Sequence, residues 1–171
     1  MAREKIKIAV ADSSFLIGLC MINQIELLGK IVNTLYIAPA VWHEVVEKGR
    51  GRYGSIEVSK TNCIKIYTKI QNNKSVEMLK IFLGDGEAET LVLAQEIKAD
   101  VTFLDETKAR TAALSSGLKI MGLGAFLILC KKLKLIETVK PLFDKLDECN
   151  FRLSRQLKNK FLQSAGELNT F

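Results

Sequence analysis

Four acidic residues, Asp12, Glu44, Glu87 and Asp105, are the ones in this chain whose type and placement could do chemistry. Asp12 closes the apolar run Ile6–Ala11, and Asp105 closes the run Val101–Leu104. Both runs read as buried parallel strands. Both carboxylates therefore fall at carboxyl ends, where open α/β sheets place their sites. Glu44 follows a third strand-like run, Thr34–Ile37, and Glu87 opens a long helix. The motifs around these acids offer no basic partner. Two unit charges about 4 Å apart repel by roughly 4 kcal/mol at an effective dielectric near 20. Carboxylates gathered in this way call for a cation, which points to divalent metal and phosphoryl-transfer chemistry.

Each acid also has a purely structural use. Asp12 and Asp105 each precede a helix and suit its N-cap. Capping and function are compatible at Asp12, because a following serine can cap while the carboxylate points into the site. Glu87 and Glu89 stand in a first turn, where the helix dipole favours acids, with Asp85 as a candidate cap. Glu44 shares its helix with Val41, Val45 and Val46, as a solvated residue would. Asp100 lies at the amino end of its strand, on the opposite edge, and is excluded.

The elements that must position these residues alternate. Strands are expected at 6–11, 35–37, 64–67, 101–104 and 119–121. Helices are expected at 13–22, 24–28, 39–48, 56–60, 76–83, 86–98, 106–115 and 125–133, with two more at 138–146 and 154–163. The helix over 86–98 is expected to be strongly amphipathic. Alternation of this kind gives a three-layer α/β/α fold with a central parallel sheet. We divide the chain into a catalytic domain, 1–137, and a C-terminal helical extension, 138–171, packed on the same domain.

The totals are compatible with this reading. A chain of 171 residues that is 48% hydrophobic is ordinary globular material. No apolar run approaches the roughly 20 residues that span a membrane, and the first residues lead straight into a strand, so no secretory signal is expected. The four cysteines form no CxxC pair, which argues against zinc and against a disulfide framework. Cys20 and Cys130 read as core thiols, and the cytoplasm is the expected location. A net charge of +6 favours a polyanionic partner. His43 is the only histidine and reads as a surface residue, so a histidine-based ribonuclease mechanism is not expected. Neither GxGxxG nor GxxxxGK[ST] occurs, which counts against a nucleotide-binding domain.

The motifs resemble those of a known family. Ala11-Asp12-Ser13-Ser14 resembles the opening motif of PIN-domain nucleases, and Ala38-Pro39-Ala40-Val41-Trp42-His43-Glu44-Val45 resembles their second. Gly86-Glu87-Ala88-Glu89 through Leu93-Ala94 resembles the third, and Val101-Thr102-Phe103-Leu104-Asp105-Glu106 the fourth. The ending from Asn150-Phe151 to Ala165-Gly166-Glu167 is similar to a prokaryotic branch related to VapC toxins.

The resemblance implies a PIN-like fold and a metal-dependent endoribonuclease of the toxin type. It implies that Asp12, Glu44, Glu87 and Asp105 hold Mg²⁺ or Mn²⁺, with Glu89 the alternative to Glu87. Ser14 matches a hydroxyl position that can orient water beside the metal, and Glu106 is a further acid behind the ligands. Ser13 stands where the first motif usually has Thr. The third acid is Glu where many relatives have Asp. A separate antitoxin protein and a homodimer are also implied. A catalytically inactive, PIN-like RNA- or protein-binding domain is the alternative.

For RNA contacts the candidates are Arg50 and Arg52, which with Tyr53 sit in the glycine-rich segment 49–54. Such a loop could clamp a phosphate and stack a base. Lys108 and Arg110 start the helix after Asp105 and are further candidates. Lys131, Lys132 and Lys134 read as a solvated helix end.

Overall fold

A computed structural model describes residues 4–151 and 153–168. Five strands, β1 (Ile6–Ala11), β2 (Val32–Ile37), β3 (Ile64–Ile66), β4 (Val101–Phe103) and β5 (Ile120–Met121), form one sheet in the order β3-β2-β1-β4-β5. Every pairing is parallel. Ala9, Val10 and Ala11 are all fully buried, because helices cover β1 on both faces and no side of it can be polar. The fold is the expected three-layer α/β/α arrangement.

The strand order decides where a site can form. The chain adds β2 and then β3 on one side of β1, and later places β4 and β5 on the other. The gap between the carboxyl ends of β1 and β4 is therefore the topological switch point of the sheet. Ala11 pairs with Phe103, and the amide of Asp12 donates to the Phe103 carbonyl at 3.1 Å. Asp12 and the segment carrying Asp105 thus leave the sheet together.

The helices are α1 (Ser13–Met21), α2 (Leu27–Ile31), α3 (Pro39–Trp42), α4 (Ser55–Lys60), α5 (Asn73–Lys80), α6 (Asp85–Glu96), α7 (Thr107–Ser115), α8 (Leu123–Lys132), α9 (Lys140–Glu148) and α10 (Arg155–Ser164). A π-helical stretch, His43–Glu47, continues α3 and carries Glu44. The helix expected at 24–28 falls instead at Leu27–Ile31 and runs straight into β2, which begins earlier than expected because Val32 pairs with Ile6. The helix expected at 76–83 begins earlier too, where the Asn72 side chain caps it by accepting from the Ser75 amide at 3.1 Å.

Helix α6 departs from the amphipathic expectation. Leu93 and Ala94 join the main core, Leu91 packs with Leu104, Ala109 and Ala113, and Ala88 and Val92 pack with Val76. It is apolar toward several neighbours because α3, α5, α7 and the sheet enclose it, and its local sequence period could not show that.

Beneath the switch point, Phe15 of α1 stacks on Phe103 of β4 with centroids 4.4 Å apart, and Phe126 of α8 meets both edge-on. The C-terminal helices share this core. Phe143, Leu146 and Leu162 are buried in it, and Phe143 stacks on Phe161. Lys131, expected in a solvated helix end, is instead paired with Glu167 and donates to the Ala165 carbonyl at 2.9 Å. The other face of that pairing is a cap: the Glu167 carboxylate accepts from the amides of Val139 and Lys140.

Phe161 lies so close to Gly124 that a β-carbon there would stand 2.2 Å from its ring. Overpacking of this kind costs about 1–3 kcal/mol. Gly124→Ala is expected to lower stability by that amount. Urea unfolding checks the size of the loss, and an unchanged midpoint would mean that α10 is not held against α8.

Candidate active site

Asp12 is built into the start of α1. It is only 1% exposed, and its Oδ1 accepts from the Phe15 amide at 2.9 Å. The ring of the same Phe15 is locked on Phe103, so the cap and the core hold one carboxylate oxygen in place. The other oxygen, Oδ2, is buried with no hydrogen-bond partner. Asp105 repeats the pattern. Its Oδ1 accepts from the amide of Leu123, the first residue of α8, at 2.9 Å, and its buried Oδ2 has no partner. Each aspartate spends one oxygen on a helix N-terminus and keeps the other free. A single residue is both cap and site candidate. The sequence offered Asp12 or a following serine as the cap of α1, and it is Asp12 that caps.

Burial raises the Asp12 carboxyl from 3.8 to about 7; the Phe15 amide opposes this, the Asp105 carboxylate adds to it while the Asp105 amide opposes it, and the Glu87 carboxylate adds a little more. Burial also lifts Asp105, to about 6, against the Leu123 amide and the Arg110 guanidinium. Arg110 was expected as an RNA contact. Its Nη1 instead donates to the Leu104 carbonyl at 2.8 Å, which places a cation beside Asp105. The acids therefore do have one basic neighbour, supplied by the helix after β4.

Glu44 and Glu87 reach the same place from other elements. With Asp12, Ser13, Ser14, Gly84 and Gly86 they line a cavity of about 110 Å³. Glu44 accepts from the Ser13 hydroxyl and, at 3.3 Å, from the Gly86 amide. A β-carbon at Gly86 would stand 2.7 Å from Glu44 Oε2, so that position must be glycine for the carboxylate to lie where it does. Glu87 bends back to accept from the Gly84 amide at 3.0 Å, closing the first turn of α6 in place of the expected Asp85. Ser13 and Gly86 were not among the site residues expected from sequence. A glycine inside the first turn of a helix, where almost any other residue is a better helix former, was the available signal for the second.

The remaining candidates lie elsewhere. Glu89 points to the start of α3, where it accepts from the Ala40 amide at 2.8 Å. Glu106 caps α7 through the amides of Lys108 and Ala109. Lys108, Arg50 and Arg52 are exposed. His43 is exposed and pairs with Glu47 at 2.5 Å. Asp100 accepts from the Ile8 amide at 2.9 Å, at the amino edge of the sheet.

Among the described residues, no three His, Cys, Asp or Glu side chains already stand close enough to hold a metal ion. Glu44 accepts from the Ser13 hydroxyl and the Gly86 amide, and Glu87 from the Gly84 amide. The donor set nevertheless suits a hard divalent cation. It is all oxygen, two of its atoms are buried without a partner, and the two aspartates sit above their ordinary carboxyl range.

A parallel three-layer sheet with acids at its switch point is a doubly wound α/β domain whose candidate site lies at the carboxyl edge. Comparison with protein families agrees: a model described as PIN domain matches residues 8–167, and the chain belongs to the PIN-domain family. PIN domains are generally nucleases and typically use divalent metal ions. Among solved structures, the chain is similar to a PilT N-terminus domain protein from the hyperthermophilic archaeon Sulfolobus solfataricus P2. The two are 16% identical, the match covers 70% of this chain and 90% of that one, and the TM-score is 0.47. A comparison with curated proteins finds no significant match. No described helix is long and apolar enough to cross a membrane.

Proposed function

We propose that this protein is a metal-dependent endoribonuclease that hydrolyses phosphodiester bonds at the carboxyl edge of the sheet. One observation carries the reading: Asp12 and Asp105 meet at the switch point, each with a buried, unpartnered Oδ2. Those two oxygens would be the inner ligands of Mg²⁺ or Mn²⁺, with Glu44 and Glu87 completing the set. When bound, such an ion lowers the pKa of water and offsets charge on the scissile phosphate. The chain's own part is positional. The helix N-termini of α1 and α8 fix the aspartates, and Ser13 and Gly86 hold Glu44 at the cavity wall. Ser14, exposed and lining the cavity, would orient a water molecule. Arg110 limits the repulsion around Asp105.

The VapC-like ending supports a narrower reading: a toxin acting on cytoplasmic RNA, held by a separate antitoxin protein, and dimeric. Among the described residues no three acids stand ready as a group, which favours the other possibility, a non-catalytic PIN-like binding domain. Incubation of the purified protein with a mixed RNA pool and Mg²⁺, Mn²⁺ or EDTA separates the two. Cleavage with either metal and none in EDTA is the expected result. Intact RNA in every arm, with no thermal stabilisation by metal, would leave the binding domain.

A further inference from the structure

The chain after α8 returns twice to the helices that hold the acids. Helix α9 ends in a left-handed turn: φ at Asn150 is +58°, the Asn150 amide donates to the Asp147 carbonyl at 3.0 Å, and the Phe151 amide donates to the Leu146 carbonyl at 2.9 Å. The turn brings the Phe151 ring onto Gly18 of α1. A β-carbon at Gly18 would stand 2.6 Å from Leu123 Cδ2 and 2.8 Å from Phe151 Cε2, so both side chains lie on the bare backbone of α1. Leu123 is fully buried and opens α8. Beside it, the Phe161 ring of α10 crosses Gly124 more closely than a β-carbon would permit, and Phe143 of α9 backs that ring with centroids 5.9 Å apart. The end of the segment is fastened. Glu167 accepts from the Val139 amide at 2.9 Å and the Lys140 amide at 2.8 Å, and it pairs with Lys131 of α8.

The first turn of α8 therefore has two sets of neighbours. Its backbone meets the site: the Leu123 amide donates to Asp105 Oδ1, and a β-carbon at Gly122 would stand 3.0 Å from that oxygen. Gly124 and the Leu123 side chain meet the aromatic rings of the C-terminal segment. A close-packed interior transmits displacement from one set to the other. We propose that Phe151 and Phe161 are positioning residues of the acidic site: they set the first turn of α8, and the Leu123 amide carries that setting to the Asp105 carboxylate. The proposal rests on the reading of Asp105 as a metal ligand, and adds that the C-terminal helices are part of what makes it one.

The test uses the full chain. Mn²⁺ affinity is read by electron paramagnetic resonance, stability by urea unfolding, and RNA cleavage on gels at saturating Mn²⁺. Phe161→Ala is expected to weaken Mn²⁺ binding roughly tenfold, as residues that support a ligand do. Gly124→Ala keeps the ring but displaces it. It should weaken Mn²⁺ as well, and it carries the test if Phe161→Ala does not fold. Adding Phe161→Leu to Gly124→Ala makes room for the methyl group and should recover most of the affinity. Val32→Ala is the control. Val32 is buried at the amino end of β2, opposite the acids, so this variant should lose stability and keep its affinity.

Unchanged Mn²⁺ affinity in Phe161→Ala and Gly124→Ala, with cleavage by wild type, would overturn the positioning role and keep the nuclease. So would an equal loss of affinity in Val32→Ala, because general loosening would then explain it. A loss confined to the Phe161 and Gly124 variants, in a protein that never cleaves RNA, would support the positioning role and overturn the nuclease reading. Wild type without measurable Mn²⁺ binding would overturn both.

Discussion

Asp12→Asn is expected to abolish metal-dependent RNA cleavage while leaving the metal-free protein at least as stable as wild type. The two halves have different causes. Loss of an inner oxygen ligand should cost more than the 10- to 100-fold typical of residues that only support a ligand, so a drop of at least about a hundredfold is expected. Stability should not follow activity. Asparagine keeps an oxygen for the Phe15 amide, so the cap on α1 survives. It also removes a carboxylate whose burial and repulsion from Asp105 disfavour the charged form. The new buried NH₂ group would sit where Oδ2 has no partner now, at a cost of about 1–3 kcal/mol. The relief of charge is at least as large. Gel assays and thermal unfolding of the same preparations check both halves. A variant that loses activity and several degrees of stability together would reduce Asp12 to a helix cap.

The second large effect is on stability against pH. Asp12 and Asp105 are raised in the folded protein, to about 7 and about 6, from an ordinary 3.8. A raised carboxyl takes up its proton more readily when folded than when unfolded. Its favourable contribution is complete below the unfolded value and is lost as pH climbs through the folded one. The metal-free protein should therefore be more stable at pH 5 than at pH 8. Between pH 5 and the folded value near 7, Asp12 loses the equivalent of about 2 pH units, about 3 kcal/mol. The two aspartates titrate as an interacting pair, so their contributions do not simply add. For a chain of this length, the change corresponds to a shift in Tm on the order of 10 °C.

Carboxylates of the opposite kind limit the range. Lys158, followed by Lys140, holds Asp144 below its ordinary value, and stability from that group is lost in acid. The trend should therefore be read above about pH 5, where most such pairs stay ionised. Saturating Mn²⁺ should flatten it by stabilising the charged aspartates. Calorimetry in EDTA and in Mn²⁺ from pH 5 to 8 measures both. A flat profile in EDTA would mean that the two aspartates titrate normally and that the site is more open than the fold indicates.

The order of elements was legible in the sequence because each depends on its own residues. Runs such as Ile6–Ala11 and Val101–Leu104 are apolar throughout, as strands covered on both faces must be, and β1 emerged with the bounds expected. The acids after those runs could be placed on the carboxyl edge for the same reason. Arrangements that join distant residues were not legible. Nothing local shows that α6 is enclosed by α3, α5 and α7, that Lys131 meets Glu167, or that Arg110 folds back on β4 instead of facing solvent. Glu87 and Glu89 are equivalent in the string GEAE. Only the packing of α6 turns one to the cavity and the other to the first turn of α3.

The sequence by itself determined an α/β chain of the PIN family with acids at strand ends, since strand burial, helix capping and motif order are properties of short segments. The tertiary structure alone decided which oxygens remain free. It is the pairing of β1 with β4 that sets Asp12 against Asp105, and the N-termini of α1 and α8 that occupy one oxygen of each.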